Sequence, residues 1–126
     1  MKPINEIKQD LAQFYGTEGY YHIAPNAVLT DGTHYIADEL GAYWLFQDTA
    51  AYLAGYQNED TFQVIKLSFV SPGEASAFVV EAGDGNGNWR TLFSSEFTDF
   101  PQELAPFEFY ATWGGEFWVL MLKGEY

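Results

Sequence analysis

The end of the chain carries the pattern that most constrains its fold. Apolar and polar residues alternate from Phe107 to Trp113, a Gly114-Gly115 pair follows, and a second apolar-rich run leads to Leu122. A two-residue glycine loop between such runs is typical of a β-hairpin. The predicted register has four facing pairs: Trp113 with Glu116, Ala111 with Trp118, Phe109 with Leu120, and Phe107 with Leu122. Because a slip of one residue exchanges the two faces, this register predicts one face that is apolar except at the turn.

The other face of this hairpin mixes polar and apolar side chains, among them Tyr110 and Phe117. We expect one of the helices to cover it. The alternative is that Tyr110 or Phe117 anchors a partner, because aromatic residues dominate the energetics of interfaces.

Upstream of the hairpin, the spacing of apolar residues predicts helices first and strands afterwards. Pro3 suits the first position of the first helix, and Gly16 suits its C-terminal cap. The predicted elements are a helix over 4–14, a brief strand over 20–23, helices over 34–40 and 43–54 (the latter capped by Gly55), and strands over 62–70, 75–82 and 89–95. The third helix is apolar nearly all round, so we expect it to be buried. The predicted fold is α+β in a single domain over 1–126, with two or three N-terminal helices packed on a four- to five-stranded antiparallel sheet ending in a β-hairpin.

The charge is strongly negative and unevenly placed. The chain has 18 acidic and 5 basic side chains, a formal net charge of −13. Neither Lys nor Arg occurs from Gln9 to Ile65 or from Thr91 to Leu122. Nucleic-acid binders draw most of their affinity from cations that neutralise phosphates, and anionic membranes attract basic segments. We therefore expect no direct contact with nucleic acid or with a membrane surface.

Few residues offer chemistry. The chain has no Cys, which excludes thiolate nucleophiles and thiolate metal sites. The run over 84–88 begins like a calcium loop, but Trp89 stands where that loop needs Gly and Ser95 where it needs Glu. Asn-Gly between two strands predicts a hairpin instead. We expect no metal and no cofactor.

The two histidines and nearby carboxylates form the one candidate for acid–base or metal chemistry. His34 and Asp38 share a face at i, i+4 spacing on the predicted helix, and Asp31 lies just before it. A transition-metal site needs three or four such ligands, and His22 and His34 are the two histidines of the chain, so the set is weak. We expect Asp31 to cap the helix, His34 to be a surface or hydrogen-bonded side chain, and the protein not to be an enzyme. A ligand-binding or enzymatic domain that uses His34, Asp31 and Asp38 stays the alternative.

Five stretches of the chain form a recognisable set: Phe14–Tyr21, Leu29–Ala37, Gly41–Leu45, Asp99–Pro101 and Trp113–Val119. They resemble an uncharacterised family of small bacterial proteins that is frequent in phages, plasmids and genomic islands. The resemblance brings no assigned activity, cofactor or catalytic residue, and it implies a mobile-element setting. Mobile elements carry acidic proteins that disarm host defence, including anti-CRISPR proteins and DNA mimics.

Charge and resemblance together predict a small acidic inhibitor that docks on a basic host protein, such as a nucleic-acid-binding effector. Its carboxylates would take the places of phosphates or block the site sterically. The predicted partner-binding residues are Asp38, Glu39, Asp48, Glu59 and Asp60. The first residues lack the apolar core of a signal peptide, so we expect the host cytoplasm. The alternatives are charge that serves solubility alone and a self-associating module, for example a homodimer, built through the hairpin over 107–122.

Overall fold

The computed structural model describes residues 2–54, 61–70 and 77–126. These residues form three α-helices: α1 (Ile4–Leu11), α2 (Asp31–Leu40) and α3 (Tyr43–Leu53). Seven strands form one sheet: β1 (Tyr21–Ala24), β2 (Ala27–Leu29), β3 (Phe62–Phe69), β4 (Phe78–Gly83), β5 (Trp89–Ser95), β6 (Phe107–Trp113) and β7 (Trp118–Met121). The predicted α+β class is confirmed. The predicted strand number of four or five is too low, because β1 and β2 also join the sheet. β2 is a three-residue strand that carries no alternation to reveal it.

The strand order is β1-β2-β7-β6-β3-β4-β5. All neighbours are antiparallel except β2 and β7, which run parallel. The prediction of a wholly antiparallel sheet is therefore wrong at this pair. Parallel neighbours need a long crossover connection, and here most of the chain lies between the two strands. The closing hairpin of β6 and β7 consequently sits inside the sheet, and its edges are β1 and β5.

The hairpin register differs from the predicted one by two residues. Trp118 faces Trp113, and Leu120 faces Ala111. The two central residues of the loop are Gly115 and Glu116, and Gly115 alone has a positive φ, at 93°, at the position where a type II′ turn requires glycine. Because the shift is even, each side chain keeps its predicted face, and Trp118 is fully buried.

The helix ends also refine the predictions. Thr30 rather than Asp31 caps α2, and its backbone N–H donates to Thr33 Oγ1 at 3.0 Å, as in a capping box. Gly41 ends α2 in the left-handed conformation, with φ at 61°. Helix α1 stops at Leu11, so Gly16 does not cap it. Gly55 lies outside the described residues.

The helices cover one face of the sheet. The Phe46 ring of α3 packs 5.0 Å from that of Phe109, and Trp118 Nε1 donates to the carbonyl of Leu53 at 3.2 Å. On the opposite face, Tyr110 contacts the ring of Tyr126 at 5.5 Å rather than a helix. The expected helical cover of this second face is therefore wrong. No described helix is both long and apolar enough to cross a membrane.

Candidate functional site

A groove of about 520 Å³ opens between α3 and the outer strands of the sheet. We call it the α3–β5 groove and define it by six of its lining residues: Trp44, Asp48, Tyr52, Phe93, Phe97 and Asp99. Its volume falls in the range of ligand sites, roughly 300–1,000 Å³. It combines aromatic rings with carboxylates, and none of its described lining residues is Lys or Arg.

A β-bulge in β5 shapes one wall of this groove. Phe93 faces Val80 of β4, but Thr91 faces Glu81, so Leu92 is an extra residue on β5. The bulge turns Phe93 onto the face that the helices cover, where it is half-buried, while Leu92 is buried. Bulges commonly re-aim side chains beside functional sites. Without this one, Phe93 would point to the opposite face.

The aromatic wall is a continuous chain of four rings. Trp44 of α3 packs edge-on to Phe78 of β4 at 5.3 Å, and Phe78 packs against Phe93 at 6.4 Å. Phe93 in turn stacks on Tyr52, with centroids 5.4 Å apart and planes within 18°. Edge-to-face and offset contacts of this kind are the preferred aromatic geometries. The four rings therefore hold one another in place, while the Tyr52 side of the stack stays open at 50% exposure.

Two carboxylates lie among these rings. Asp48 lies one helical turn from both Trp44 and Tyr52, so the three side chains share a ridge of α3. Asp99 comes from the connection after β5, next to Thr98, whose buried hydroxyl accepts the backbone N–H of Phe100 at 3.1 Å. Within the described part of the chain, neither carboxylate makes an ion pair or a hydrogen bond. Both remain available to a ligand.

None of the five basic residues lines the groove, and three of them pair with carboxylates outside it. Lys66 lies 4.0 Å from a carboxylate oxygen of Glu81 and 4.0 Å from the ring of Trp89. Lys123 pairs with Glu108, and both of these ion pairs lie on strands or at the C-terminus, away from α3. Lys2 donates to Asp10 at 3.0 Å. No described cation pairs with a carboxylate of the groove as a result.

The structure separates the five predicted partner-binding residues. Asp48 lines the groove, and Asp38 is exposed on the last turn of α2 without an ion pair among the described residues. Glu39 is half-buried and accepts the backbone N–H of Lys2 at 2.6 Å. Glu59 and Asp60 lie outside the described residues.

Sequence reasoning missed the remaining groove residues. The i, i+4, i+8 spacing of Trp44, Asp48 and Tyr52 was a usable signal for a mixed aromatic and acidic ridge. Helix α3 was predicted to be buried nearly all round, and this prediction is wrong on the side that carries Asp48 and Tyr52, both exposed. Asp99 and Phe97 gave no signal, because only the fold brings their segment to α3.

Asp31 and His34, the candidates for acid–base chemistry, have structural partners at the start of α2. Asp31 accepts the backbone N–H of Glu18 at 2.8 Å and the Tyr21 hydroxyl at 3.1 Å. The Glu18 N–H, helped by Tyr21, lowers the pKa of Asp31, and the same contact raises the pKa of Tyr21. His34 stacks on Tyr21 with centroids 3.9 Å apart. Asp38 is exposed at the other end of the helix. No group of three or more metal-binding side chains is found among the described residues.

A second carboxylate, that of Glu125 near the C-terminus of the chain, binds the N-terminal end of the same helix. Glu125 is buried and accepts hydrogen bonds from Thr30 Oγ1 at 2.7 Å and from the backbone N–H groups of Gly32 and Leu122, each at 3.0 Å. Gly32 makes room for this contact, since a Cβ there would come within 2.5 Å of Glu125 Oε1. Asp31 and Glu125 therefore serve the fold.

The fold and the groove define a class: a one-sheet α+β protein whose helical side carries an acidic, aromatic groove. The chain belongs to DUF6876, a family of unknown function, whose sequence profile matches residues 5–126. This confirms the predicted membership of an uncharacterised family. Neither a curated protein nor a solved structure matches the chain.

Proposed function

We propose that this protein is a small acidic binding module, of phage or mobile-element origin, that docks on a basic nucleic-acid-binding protein of the host and blocks it. The observation that supports this proposal best is the pair of carboxylates, Asp48 and Asp99, which have no partner or neighbouring cation in the groove among the described residues. The mobile-element setting comes from the sequence resemblance, and the class of partner comes from the charge.

The mechanism uses charge in two ways. A net charge of −13 attracts a basic surface over a distance and speeds the encounter. On contact, Asp48 and the exposed Asp38 take positions that phosphates occupy in the partner's nucleic-acid complex. Such complementarity contributes to association rate and specificity more than to affinity alone. Binding should therefore weaken steeply as salt rises.

The geometry offers less to the two alternatives. An enzymatic or ligand-binding site at His34 and Asp31 would use groups that already stack on Tyr21 or accept its hydroxyl. Self-association by strand pairing through the β6–β7 hairpin would need a free edge there, and both strands already have neighbours on each side. Among the described strands, pairing of this kind is open to the two edge strands, β1 and β5.

The test is capture from host lysate at low and high salt, with a DNA duplex added as competitor. The immobilised wild type is compared with the Asp38→Lys/Asp48→Lys variant and with the matched Glu18→Lys/Glu116→Lys variant. The matched pair makes the same change in net charge at two exposed sites outside the groove. We expect nucleic-acid-binding proteins on the wild type and the control only, released by salt and by duplex.

Three results would contradict the proposal. The first is capture that neither duplex nor high salt reduces. The second is retention of the same proteins by the folded Asp38→Lys/Asp48→Lys variant. The third is an equal loss with the matched control, which would mean that overall charge, and not the helical side, governs the interaction.

A further inference from the structure

We infer that the α3–β5 groove binds the guanidinium group of an arginine presented by a segment of the partner protein. This inference rests on the proposed function and names the chemistry of its contact site. It rests on three features together: a cavity, an exposed aromatic stack, and two carboxylates that have no partner in the described part of the chain.

The aromatic stack offers the first half of an arginine site. Tyr52 is 50% exposed, and one face of its ring stacks on Phe93, 5.4 Å away. A cation above the face of such a ring is attracted by the ring's quadrupole. Arginine suits this position better than lysine, because its planar, weakly hydrated guanidinium stacks on aromatic faces. Lys66 over Trp89, at 4.0 Å, shows that the chain already uses this type of contact elsewhere.

The carboxylates offer the second half. Asp48 follows Trp44 and precedes Tyr52 by one turn each, so a guanidinium stacked on Tyr52 lies within reach of its oxygens. Asp99 supplies a second carboxylate to the same groove. Arginine has five N–H donors in a fixed fork, and carboxylates accept them in pairs. A groove with two carboxylates and no described cation is complementary to this group.

The volume of the α3–β5 groove and the exposed ring at its edge favour a peptide segment, rather than free arginine, as the bound partner. At about 520 Å³ the groove is larger than one side chain needs. Phe97 stands at its rim with 72% exposure, and exposed aromatic residues beside a pocket are typical contact points for a protein partner. The neighbouring residues of the partner segment would cover this ring.

The experiment uses three acetylated, amidated peptides with the same glycine flanks and two adjacent arginines, two lysines or two citrullines. Citrulline keeps the shape of arginine without its charge. Binding to the full chain is measured by fluorescence anisotropy, and the location is read from amide chemical shifts in ¹H–¹⁵N NMR spectra. We expect the arginine peptide to bind more tightly than the lysine peptide, the citrulline peptide not to bind, and the shifts to centre on α3 and the 93–99 segment.

Matched variants separate the groove from overall charge. Asp48→Asn/Asp99→Asn should raise the Kd for the arginine peptide at least tenfold, while Glu18→Gln/Glu116→Gln, with the same charge change elsewhere, should raise it less than twofold. Tyr52→Leu should raise the Kd about threefold or more, since it removes the ring contact. Tyr15→Leu is its control, because Tyr15 is 80% exposed and does not line the groove.

The outcomes distinguish this inference from the proposed function. Equal binding of arginine and lysine peptides, or equal losses in the groove variant and its matched control, would overturn the arginine site and leave a general acidic docking surface. Binding of the citrulline peptide, or shifts centred outside the groove, would overturn it too. Failure of the lysate capture, with the peptide result intact, would remove the proposed function and leave an arginine-binding groove.

Discussion

Two pairs of carboxylates in this molecule have opposite surroundings. Asp31 and Glu125, at the start of α2, accept five hydrogen bonds between them, from backbone N–H groups and hydroxyls. Asp48 and Asp99, in the α3–β5 groove, have aromatic neighbours and no partner among the described residues. The same side-chain chemistry serves the fold at one place and stays available at the other.

The difference teaches how to interpret an acidic chain. A buried carboxylate must accept hydrogen bonds, because a buried acceptor without a donor costs about 1–3 kcal/mol, and more when it is charged. An exposed carboxylate stays hydrated and contributes little to stability. The acidic side chains of such a chain are therefore of two kinds. Some are required for folding, and the others, which are not, remain free for a partner.

The largest expected effect concerns Trp118, which lies in the hydrophobic core between the helices and the sheet. Trp118 is fully buried under α3, and its Nε1 donates to the carbonyl of Leu53. Trp118→Ala should lower the free energy of unfolding by about 3–5 kcal/mol, as large core truncations do. Urea denaturation monitored by circular dichroism measures this. A loss below about 1 kcal/mol would mean that the helices do not pack on this face of the sheet.

The second effect separates the two pairs of carboxylates directly. Glu125→Ala leaves the Thr30 hydroxyl and the N–H groups of Gly32 and Leu122 without their acceptor. We expect a loss of about 2–3 kcal/mol in the free energy of unfolding. The control is Glu116→Ala in the exposed hairpin loop, which should change stability by no more than about 0.5 kcal/mol. Equal effects of the two variants would remove the distinction drawn here.

Much of the fold was predictable from the sequence because it depends on local patterns. Strand β5 lies where predicted, over 89–95, and α3 begins at Tyr43 as predicted. The faces of the hairpin are right although its register is not, because side chains alternate with period two and the error was even. Short β2 and its parallel contact with β7 depend on a partner distant in sequence, and no local pattern reports such a partner.

The candidate site was only partly predictable, for the same reason. Asp48 was among the predicted partner-binding residues, but its companions come from three separate segments. The bulge that turns Phe93 toward α3 appears only when β5 is paired with β4. Asp99 reaches the groove through the path of a connection that has no periodic pattern. The sequence therefore shows that the chain is acidic, but it does not show which carboxylates lie together in the fold.

The third effect is a pH dependence at the start of α2. The pKa of Asp31 is lowered, chiefly by the Glu18 N–H, so the unfolded chain binds its proton more readily. The stabilisation is therefore complete above the ordinary pKa of about 3.9 and is lost as the pH falls through the lower pKa of the folded state. Asp31→Asn should cost about 0.5–1 kcal/mol at pH 7, in keeping with an acidic residue at a helix start.

Urea denaturation of the wild type and Asp31→Asn at pH 7, 5, 4 and 3 checks this dependence. The difference between the two proteins should stay constant down to about pH 5 and shrink below it. Asp38→Asn is the matched control on the same helix. Asp38 lies in the last turn, where a negative charge opposes the helix dipole, so its removal should not destabilise. A difference between wild type and Asp31→Asn that grows as the pH falls would contradict the assignment.

The smallest expected effect on stability belongs to the groove, and it completes the comparison. Asp48→Asn and Asp99→Asn remove charges that have no described partner from a chain with a net charge of −13. Each should change the free energy of unfolding by no more than about 0.5 kcal/mol, and reduced self-repulsion favours a small increase. Thermal denaturation at low salt, where exposed charges are least screened, is the most sensitive measurement. A decrease of more than about 1 kcal/mol in the free energy of unfolding would show that these carboxylates stabilise the fold as Asp31 and Glu125 do. That result would contradict the interpretation of the groove as a binding site.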